Sequence, residues 1–167
     1  MTLDEINALD AAGFVDAFGG IAEHSAWVAE RAAASRPFAS RDAAVDAFQK
    51  AILAAGDDEK TALLRAHPDL AGRAAMAGEL TADSSSEQAG AGLDRLTPDE
   101  FARFTALNDA YKARFGIPFI VAVRGATKTQ ILAAFENRVG GSIAEERLTA
   151  LAQVLRIVRF RLEDRIG

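Results

Sequence analysis

One of the two histidines in the 167-residue sequence stands directly before a proline, in the stretch LRAHPDL. An imidazole titrates at about pH 6.5 in ordinary surroundings, so His67 is suited to proton transfer at neutral pH. Pro68 disfavours helical backbone geometry at the residue before it, and we therefore expect His67 to lie where a helix ends. The residue alone leaves two interpretations open: a catalytic acid or base, and a structural or exposed histidine.

The other histidine, His24, lies in the stretch AEHSAW, near the expected start of the helix that carries Trp27. A typical zinc site needs three or four nitrogen or sulfur ligands. Because the sequence has two histidines and no cysteine, it does not favour a zinc centre.

A glutamate lies between three serines and two glycines in the stretch SSSEQAGAGLD. Ser84 and Glu87 have the spacing of a capping box, so we expect a helix to begin at Ser84. The free N–H groups of a helix start also bind anions. Gly90 and Gly92 would each cost that helix about 1 kcal/mol relative to alanine, which suggests tight packing or a nearby ligand. Glu87 can thus cap a helix, serve a site, or do both.

Arginines concentrate in the last predicted helix, beside a stripe of apolar residues. The stripe consists of Val154, Leu155, Val158, Leu162 and Ile166. Arg161 and Arg159 lie at opposite edges of it. An arginine at the edge of a core can bind a carboxylate through two hydrogen bonds, but it can also extend along the surface with its charge in water. The spacing does not choose between the two arginines.

Helix start signals recur along the chain, each a Ser or Thr followed three residues later by Glu or Gln. They occur at Thr2, Ser84, Thr97, Thr127 and Ser142. We predict an all-α fold, a compact single-domain bundle of about eight to nine helices. The predicted segments are 2–18, 22–34, 40–55, 57–66, 69–77, 84–95, 97–114, 127–138 and 142–165.

The stretch FGIPFIVAVRG interrupts this helical pattern. Its β-branched run after Gly-Ile-Pro predicts extended backbone near residues 117–123. One strand cannot pair with itself, so its N–H and C=O groups need side chains, helix ends, water or a ligand. The segment is therefore either a buried connector or one wall of a site.

Composition sets the class of protein. Half of the residues are hydrophobic and the chain is long enough for one sizeable core, so we predict a single domain over residues 1–167. The net charge of −5 argues against non-specific nucleic-acid binding. The first residues, MTLDEINALD, lack the layout of a signal peptide, and no apolar run approaches the ~18 residues that span a bilayer. We expect a soluble protein with neither a nucleic-acid nor a membrane partner.

Five stretches resemble one known family in order and spacing. They are EHSAWVAE, AHPDLAG, SSSEQAGAGLD, YKARFGIPFIVAVRG and RFRLEDRI. Together they resemble the OHCU decarboxylase family, whose members act on 2-oxo-4-hydroxy-4-carboxy-5-ureidoimidazoline (OHCU) in purine breakdown. The resemblance covers most of the chain. It implies an all-α enzyme without cofactor or metal, usually a homodimer, that acts on a small anionic substrate.

The resemblance also implies roles for particular residues. It implies catalytic roles for His67, Glu87 and Arg161, since the family's arginine precedes a leucine in the last helix. Substrate contacts are implied for Pro68, Ser84, Ser85, Ser86 and Gln88, and for the backbone of Phe119, Ile120, Val121, Ala122 and Val123.

The implied reaction is the cofactor-independent decarboxylation of OHCU to (S)-allantoin in urate degradation, the reaction of a carboxy-lyase. Two alternatives stay open: a non-catalytic helical module that binds a ligand, and a decarboxylase of a related ureido or imidazoline acid. Animal and plant relatives can be peroxisomal. Since this sequence ends in Arg165-Ile166-Gly167 rather than Ser-Lys-Leu, we expect a cytoplasmic location.

Overall fold

Ten α-helices and no β-strand form in the computed structural model, which describes residues 1–167. The helices are α1 (Leu3–Ala8), α2 (Ala11–Phe18), α3 (Trp27–Ala33), α4 (Arg41–Leu53), α5 (Asp57–Ala66), α6 (Arg73–Ala77), α7 (Ala82–Gly90), α8 (Pro98–Phe115), α9 (Lys128–Arg138) and α10 (Ile143–Arg165). The predicted all-α fold is confirmed. None of the ten helices has both the length and the apolar character that crossing a membrane requires.

The first predicted helix is in fact two helices. Leu9 has extended backbone, with φ −62° and ψ 140°, and ends α1. Asp10 then caps α2, because its carboxylate accepts a hydrogen bond from the Gly13 N–H at 2.7 Å. Aspartate is one of the strongest N-cap residues. This additional start signal accounts for the tenth helix.

The second predicted helix, over residues 22–34, is shorter than expected. Helix α3 begins only at Trp27. His24 has a φ of 47°, a left-handed conformation that is uncommon for residues other than glycine. This backbone geometry prevents a helix from running through residue 24.

Three of the predicted capping boxes form with both of their hydrogen bonds, at Thr2, Thr97 and Thr127. Pro98 occupies the first turn of α8, where its missing N–H costs no hydrogen bond. The same helix ends at Gly116, whose φ of 68° favours glycine. Local sequence signals therefore set the bounds of these helices.

The chain forms two compact units. The first contains residues 1–66 and 154–167, and the second contains residues 67–153. In the first unit, α3 packs against both α2 and α4. Four buried phenylalanines form its aromatic core, with neighbouring ring centroids 4.9–6.3 Å apart: Phe14, Phe18, Phe38 and Phe48. The predicted single domain over residues 1–167 stays a prediction.

The core of the second unit forms where α8 packs against α9. Phe119, from the segment between these helices, stacks on Phe135 of α9 with the ring centroids 3.8 Å apart. Phe104 and Tyr111 of α8 approach the same Phe135 ring at 6.3 and 6.0 Å. All four rings are buried.

Residues 118–123 form neither helix nor strand, so the helical pattern is interrupted where the sequence predicts it. The extended backbone near residues 117–123 stays a prediction. Two of their backbone groups bond to side chains of the second unit. The Ile120 carbonyl accepts a hydrogen bond from Arg138 Nη1 at 2.7 Å, and the Ala122 N–H donates to Gln153 Oε1 at 3.0 Å. Side chains thus supply part of the hydrogen bonding that a partner strand would otherwise provide.

Arg138 is held in turn by a buried carboxylate. Glu146 is 4% exposed and accepts hydrogen bonds from Arg138 Nε at 3.0 Å and from the Tyr111 hydroxyl at 2.5 Å. The Arg138 guanidinium also lies over the Phe119 ring, 4.5 Å from its centroid. Residues from α8, α9 and α10 therefore fix the start of the non-helical segment.

The chain's single tyrosine gives a direct test of this cluster. Burial, together with the hydrogen bond to Glu146, raises the pKa of Tyr111 well above its ordinary value. In an alkaline titration of the folded protein, we expect tyrosinate absorbance to appear well above pH ~10. Because the folded-state pKa is the higher one, this contribution to stability is complete below pH ~10 and is lost as the pH rises further.

The same titration in denaturant is the control, and we expect its midpoint at about pH 10. A folded protein that titrates at the denatured value would contradict the buried Tyr111–Glu146 hydrogen bond.

Candidate active site

His67 follows directly after the last residue of α5, as Pro68 predicts. His67 is the first residue of the second unit and is 8% exposed. The prediction that a helix ends at this junction is confirmed. The catalytic role of His67 stays a prediction, but its burial excludes the interpretation of an exposed histidine.

The loop after His67, which we call the histidine loop and define as residues 67–72, has a tightly constrained backbone. Ala71 has a φ of 50°, in the left-handed region. A Cβ atom at Gly72 would lie 2.6 Å from the Asp69 Cβ, closer than real atoms approach. The loop therefore requires glycine at position 72, where it turns into α6.

Side chains from two helices fasten the histidine loop. Gln88 of α7 donates through Nε2 to the Asp69 carbonyl at 3.2 Å, and its Oε1 accepts from the Ala71 N–H at 2.9 Å. Asn108 of α8 donates to the Leu70 carbonyl at 2.9 Å. Three consecutive residues of the loop are thus bonded to side chains that lie far along the sequence.

Helix α7 carries the predicted serine and glutamate residues, but it does not start at Ser84. Its N-cap is Thr81, whose hydroxyl accepts a hydrogen bond from the Ser84 N–H at 3.3 Å. Glu87 therefore lies in the second turn of α7, and its predicted capping role is wrong. Both Thr81 and Ser84 are residues that cap helices, and the pairing of Ser84 with a glutamate favoured the wrong one.

The serines of α7 differ in their exposure. Ser84 is buried, whereas Ser85 and Ser86 are exposed. Glu87 is half-buried, and Gln88 is buried with its amide bonded to the histidine loop. The structure thus brings this part of α7 and the histidine loop together. Substrate contacts from these residues stay predictions.

The two glycines after Glu87 are not tightly packed. Gly90 is the last residue of α7, and Gly92 lies beyond it with a φ of 79°. A Cβ atom at either position would meet no atom within 4 Å. Gly90 therefore lies in a helix as expected and Gly92 does not, since its left-handed backbone favours glycine. Tight packing is wrong for both glycines, and the alternative of a nearby ligand stays a prediction.

In the segment predicted to contact substrate through its backbone, most side chains point into protein. Phe119, Ile120, Ala122 and Val123 are buried, and Val121 is half-buried. The Ala122 N–H and the Ile120 carbonyl already bond to side chains. Pro68, the other predicted contact, is half-buried beside His67.

The first unit contains both candidate arginines, and their surroundings differ. Arg161 is 4% exposed, and its Nη1 donates to Glu23 Oε2 at 2.9 Å and to the Ile21 carbonyl at 3.3 Å. Arg159 is half-exposed and pairs with Asp42 at 3.1 Å and Glu163 at 3.4 Å. Of the two, Arg161 therefore has the buried environment of a site residue, and Arg159 that of a surface ion pair.

Sequence reasoning did not single out Glu23, Asn108 or Lys112. Asn108 could have been found, since it falls on the buried face of α8 between Phe104 and Tyr111. A polar residue on an apolar helix face is unusual and needs a hydrogen-bonding partner.

No three histidine, aspartate or glutamate side chains lie close enough to hold a metal ion together.

Comparison with known proteins identifies the family. The model of the OHCU decarboxylase family matches residues 7–163. The chain belongs to the OHCU decarboxylase family. The 2-oxo-4-hydroxy-4-carboxy-5-ureidoimidazoline decarboxylase of Haloferax volcanii is 46% identical over 167 residues, which cover 100% of this chain and 97% of the relative.

Two further proteins resemble this chain, one in sequence and one in both sequence and fold. The uric acid degradation bifunctional protein of Bacillus subtilis is 39% identical over 163 residues, covering 98% of this chain and 32% of that protein. A crystal structure of (S)-allantoin synthase is 34% identical with a TM-score of 0.78, and the match covers 99% of this chain. The chain spans 54% of the length of that structure and about a third of the bifunctional protein.

Proposed function

We propose that this protein catalyses the decarboxylation of OHCU to (S)-allantoin in urate degradation. The observation that carries the proposal is the family match over residues 7–163, a range that includes His67, Glu87 and Arg161. The Haloferax volcanii relative is named for this substrate, and the related crystal structure is that of an (S)-allantoin synthase. The protein is thus a carboxy-lyase of the urate-to-allantoin route.

The proposed decarboxylation does not need a cofactor to accept the electron pair that carbon dioxide leaves behind. The substrate carries a carboxylate and a hydroxyl on one ring carbon, next to a ring C=N bond. When carbon dioxide leaves, its electron pair can move into that C=N bond, so the substrate provides its own electron sink. The enzyme must orient the carboxylate, move protons, and protonate one face of the resulting carbanion equivalent.

His67 is the proposed acid-base group. It exchanges a proton with the substrate's hydroxyl or carboxylate and then supports protonation on one face, which sets the (S) configuration. The constrained histidine loop suits this role, because an error of about 1 Å in the position of a reacting group can cost on the order of 10²-fold in rate. Glu87 accepts hydrogen bonds from the ureido and ring N–H groups.

Arg161 is the proposed anchor for an anionic edge of the substrate. Its ion pair with Glu23 supports this role, because the carboxylate fixes the guanidinium at 2.9 Å and reduces the cost of burying its charge. An arginine that is held in place presents its N–H groups to a planar anion with little further loss of side-chain entropy.

The remaining proposed contacts bind the substrate without taking part in proton transfer. They are Pro68, Ser84, Ser85, Ser86, Gln88 and the backbone of Phe119 to Val123. Backbone N–H groups in such a segment can bind ring oxygens. The Ala122 N–H would have to exchange its bond with Gln153 to do so.

The protein's domain organisation, oligomeric state, location and cofactor requirement are also proposals. We propose that residues 1–167 act as one domain, that the protein works as a cytoplasmic homodimer, and that the reaction uses no cofactor. Sedimentation at micromolar concentration tests the dimer directly. Turnover by protein treated with a metal chelator tests the proposed independence from metal.

The central experiment follows freshly prepared substrate by circular dichroism with and without purified protein. We expect (S)-allantoin to form faster than in the spontaneous reaction. Ligand binding without acceleration would instead indicate a non-catalytic binding module. Acceleration with a related ureido or imidazoline acid, but not with OHCU, would indicate a different decarboxylase.

Replacing Gly72 with alanine tests the geometry of the histidine loop. Because the new Cβ would lie 2.6 Å from the Asp69 Cβ, the loop must shift, and we expect turnover to fall by up to about 10²-fold. Gly20→Ala is a matched control, since a Cβ there meets no atom within 4 Å. Equal turnover by the two variants would contradict the need for a fixed loop.

A further inference from the structure

One face of α8 holds the histidine loop through two residues that are not among the predicted site residues. Asn108 and Lys112 lie four residues apart, on the same side of the helix. Asn108 Nδ2 donates to the Leu70 carbonyl at 2.9 Å, and Lys112 Nζ donates to Asp69 Oδ2 at 2.6 Å. Two consecutive residues of the loop are thus tied to one turn of one helix.

Asn108 is not the residue that would stabilise the fold most at this position. It is 4% exposed, and its Oδ1 atom is buried with no hydrogen-bond partner in the protein. A buried acceptor without a partner costs free energy that an apolar residue of the same size would not. The bond from its amide nitrogen to the Leu70 carbonyl is the one contribution that an apolar residue could not make.

The contacts of α8 with residues 69 and 70 restrict His67 through a short and stiff piece of backbone. Only Pro68 lies between His67 and Asp69, and the proline ring fixes φ at about −65°. Gln88 bonds to the Asp69 carbonyl and the Ala71 N–H. With residues 69–71 held, few free dihedral angles remain by which the His67 backbone could move.

We propose that Asn108 and Lys112 are positioning residues for the decarboxylation, which act by holding residues 69–71 and hence the backbone of His67. This inference rests on the proposed function for its effect on turnover. The proposal gives each side chain a partner in the loop and none in the substrate, so each acts on the rate of the chemical step rather than on substrate binding.

Lys112→Met and the double variant Asn108→Ala/Lys112→Met test the proposal. We expect kcat of the double variant to fall at least about tenfold while KM stays within about twofold, because a displaced acid-base group slows the chemistry and leaves binding intact. Lys112→Arg should restore most of the loss in the single variant, since it can re-form the ion pair with Asp69.

Arg103→Met is the matched control. Arg103 also lies on α8 and forms a half-exposed ion pair, with Glu136 at 2.7 Å, but it does not contact the loop. Surface ion pairs of this kind contribute little to overall stability, so both single variants should fold. An equal fall in kcat for Arg103→Met and Lys112→Met would overturn the proposal.

A readout without turnover separates this proposal from the proposed function. The chain has two histidines, so the imidazole resonances of His67 can be assigned by comparison with His67→Asn. We expect Lys112→Met to shift or broaden the His67 signals and to speed hydrogen exchange at the Ala71 N–H, with the His24 signals unchanged. Unchanged His67 signals would overturn the positioning role, whereas a wild-type protein without turnover would overturn only the proposed function.

Discussion

Replacement of His67 with asparagine or alanine is expected to lower turnover of OHCU by about 10²- to 10⁴-fold. His67 is a buried imidazole on a loop that three side chains hold: Gln88 and Asn108 bond to its backbone, and Lys112 bonds to the Asp69 carboxylate. A group held in this way can transfer a proton in a defined direction, and asparagine retains a hydrogen-bonding side chain without that ability. The formation of (S)-allantoin, followed by circular dichroism, measures the loss.

The second histidine provides a matched control for this experiment. His24 is exposed and has a φ of 47°, a conformation that asparagine tolerates better than most residues. We therefore expect His24→Asn to fold and to turn over substrate at the wild-type rate. If folded His67→Asn also forms (S)-allantoin at that rate, His67 has no part in proton transfer.

Much of the fold could be predicted because its signals are local. The capping boxes at Thr2, Thr97 and Thr127 each involve residues three apart, so the sequence alone shows both partners. The errors arose where two local signals compete. Thr81 and Ser84 can both cap a helix, and the structure chooses Thr81. The cap at Asp10 was missed because it has no Glu or Gln three residues later to complete a capping box.

The site could be predicted only in part because its supporting contacts join distant residues. The proline after His67 showed that a helix ends there, and spacing placed Arg161 at the edge of an apolar stripe. No periodicity connects Arg161 to Glu23, which is 138 residues away, or Asn108 to Leu70, which is 38 residues away. Such contacts depend on tertiary packing, so a pattern within one helix cannot reveal them.

The buried ion pair between Glu23 and Arg161 leads to the largest expected change in stability. Their side chains are 2% and 3% exposed. Because removing one partner leaves the other charge buried without its counter-ion, we expect Glu23→Ala to lower the free energy of unfolding by about 3–5 kcal/mol. Urea denaturation at neutral pH measures this change. The exposed pair of Arg31 and Glu59 is the control, and Glu59→Ala should have a much smaller effect.

The double variant Glu23→Leu/Arg161→Met separates the two roles of this pair. Because apolar residues of similar size avoid the cost of burying both charges, we expect the double variant to recover most of the stability lost in Glu23→Ala. Turnover should nevertheless stay low, since methionine cannot bind the substrate's anionic edge. Recovery of both stability and turnover would show that Arg161 serves the fold alone. If Glu23→Ala loses no more stability than Glu59→Ala, the buried pair of Glu23 and Arg161 contributes no more to stability than an exposed pair.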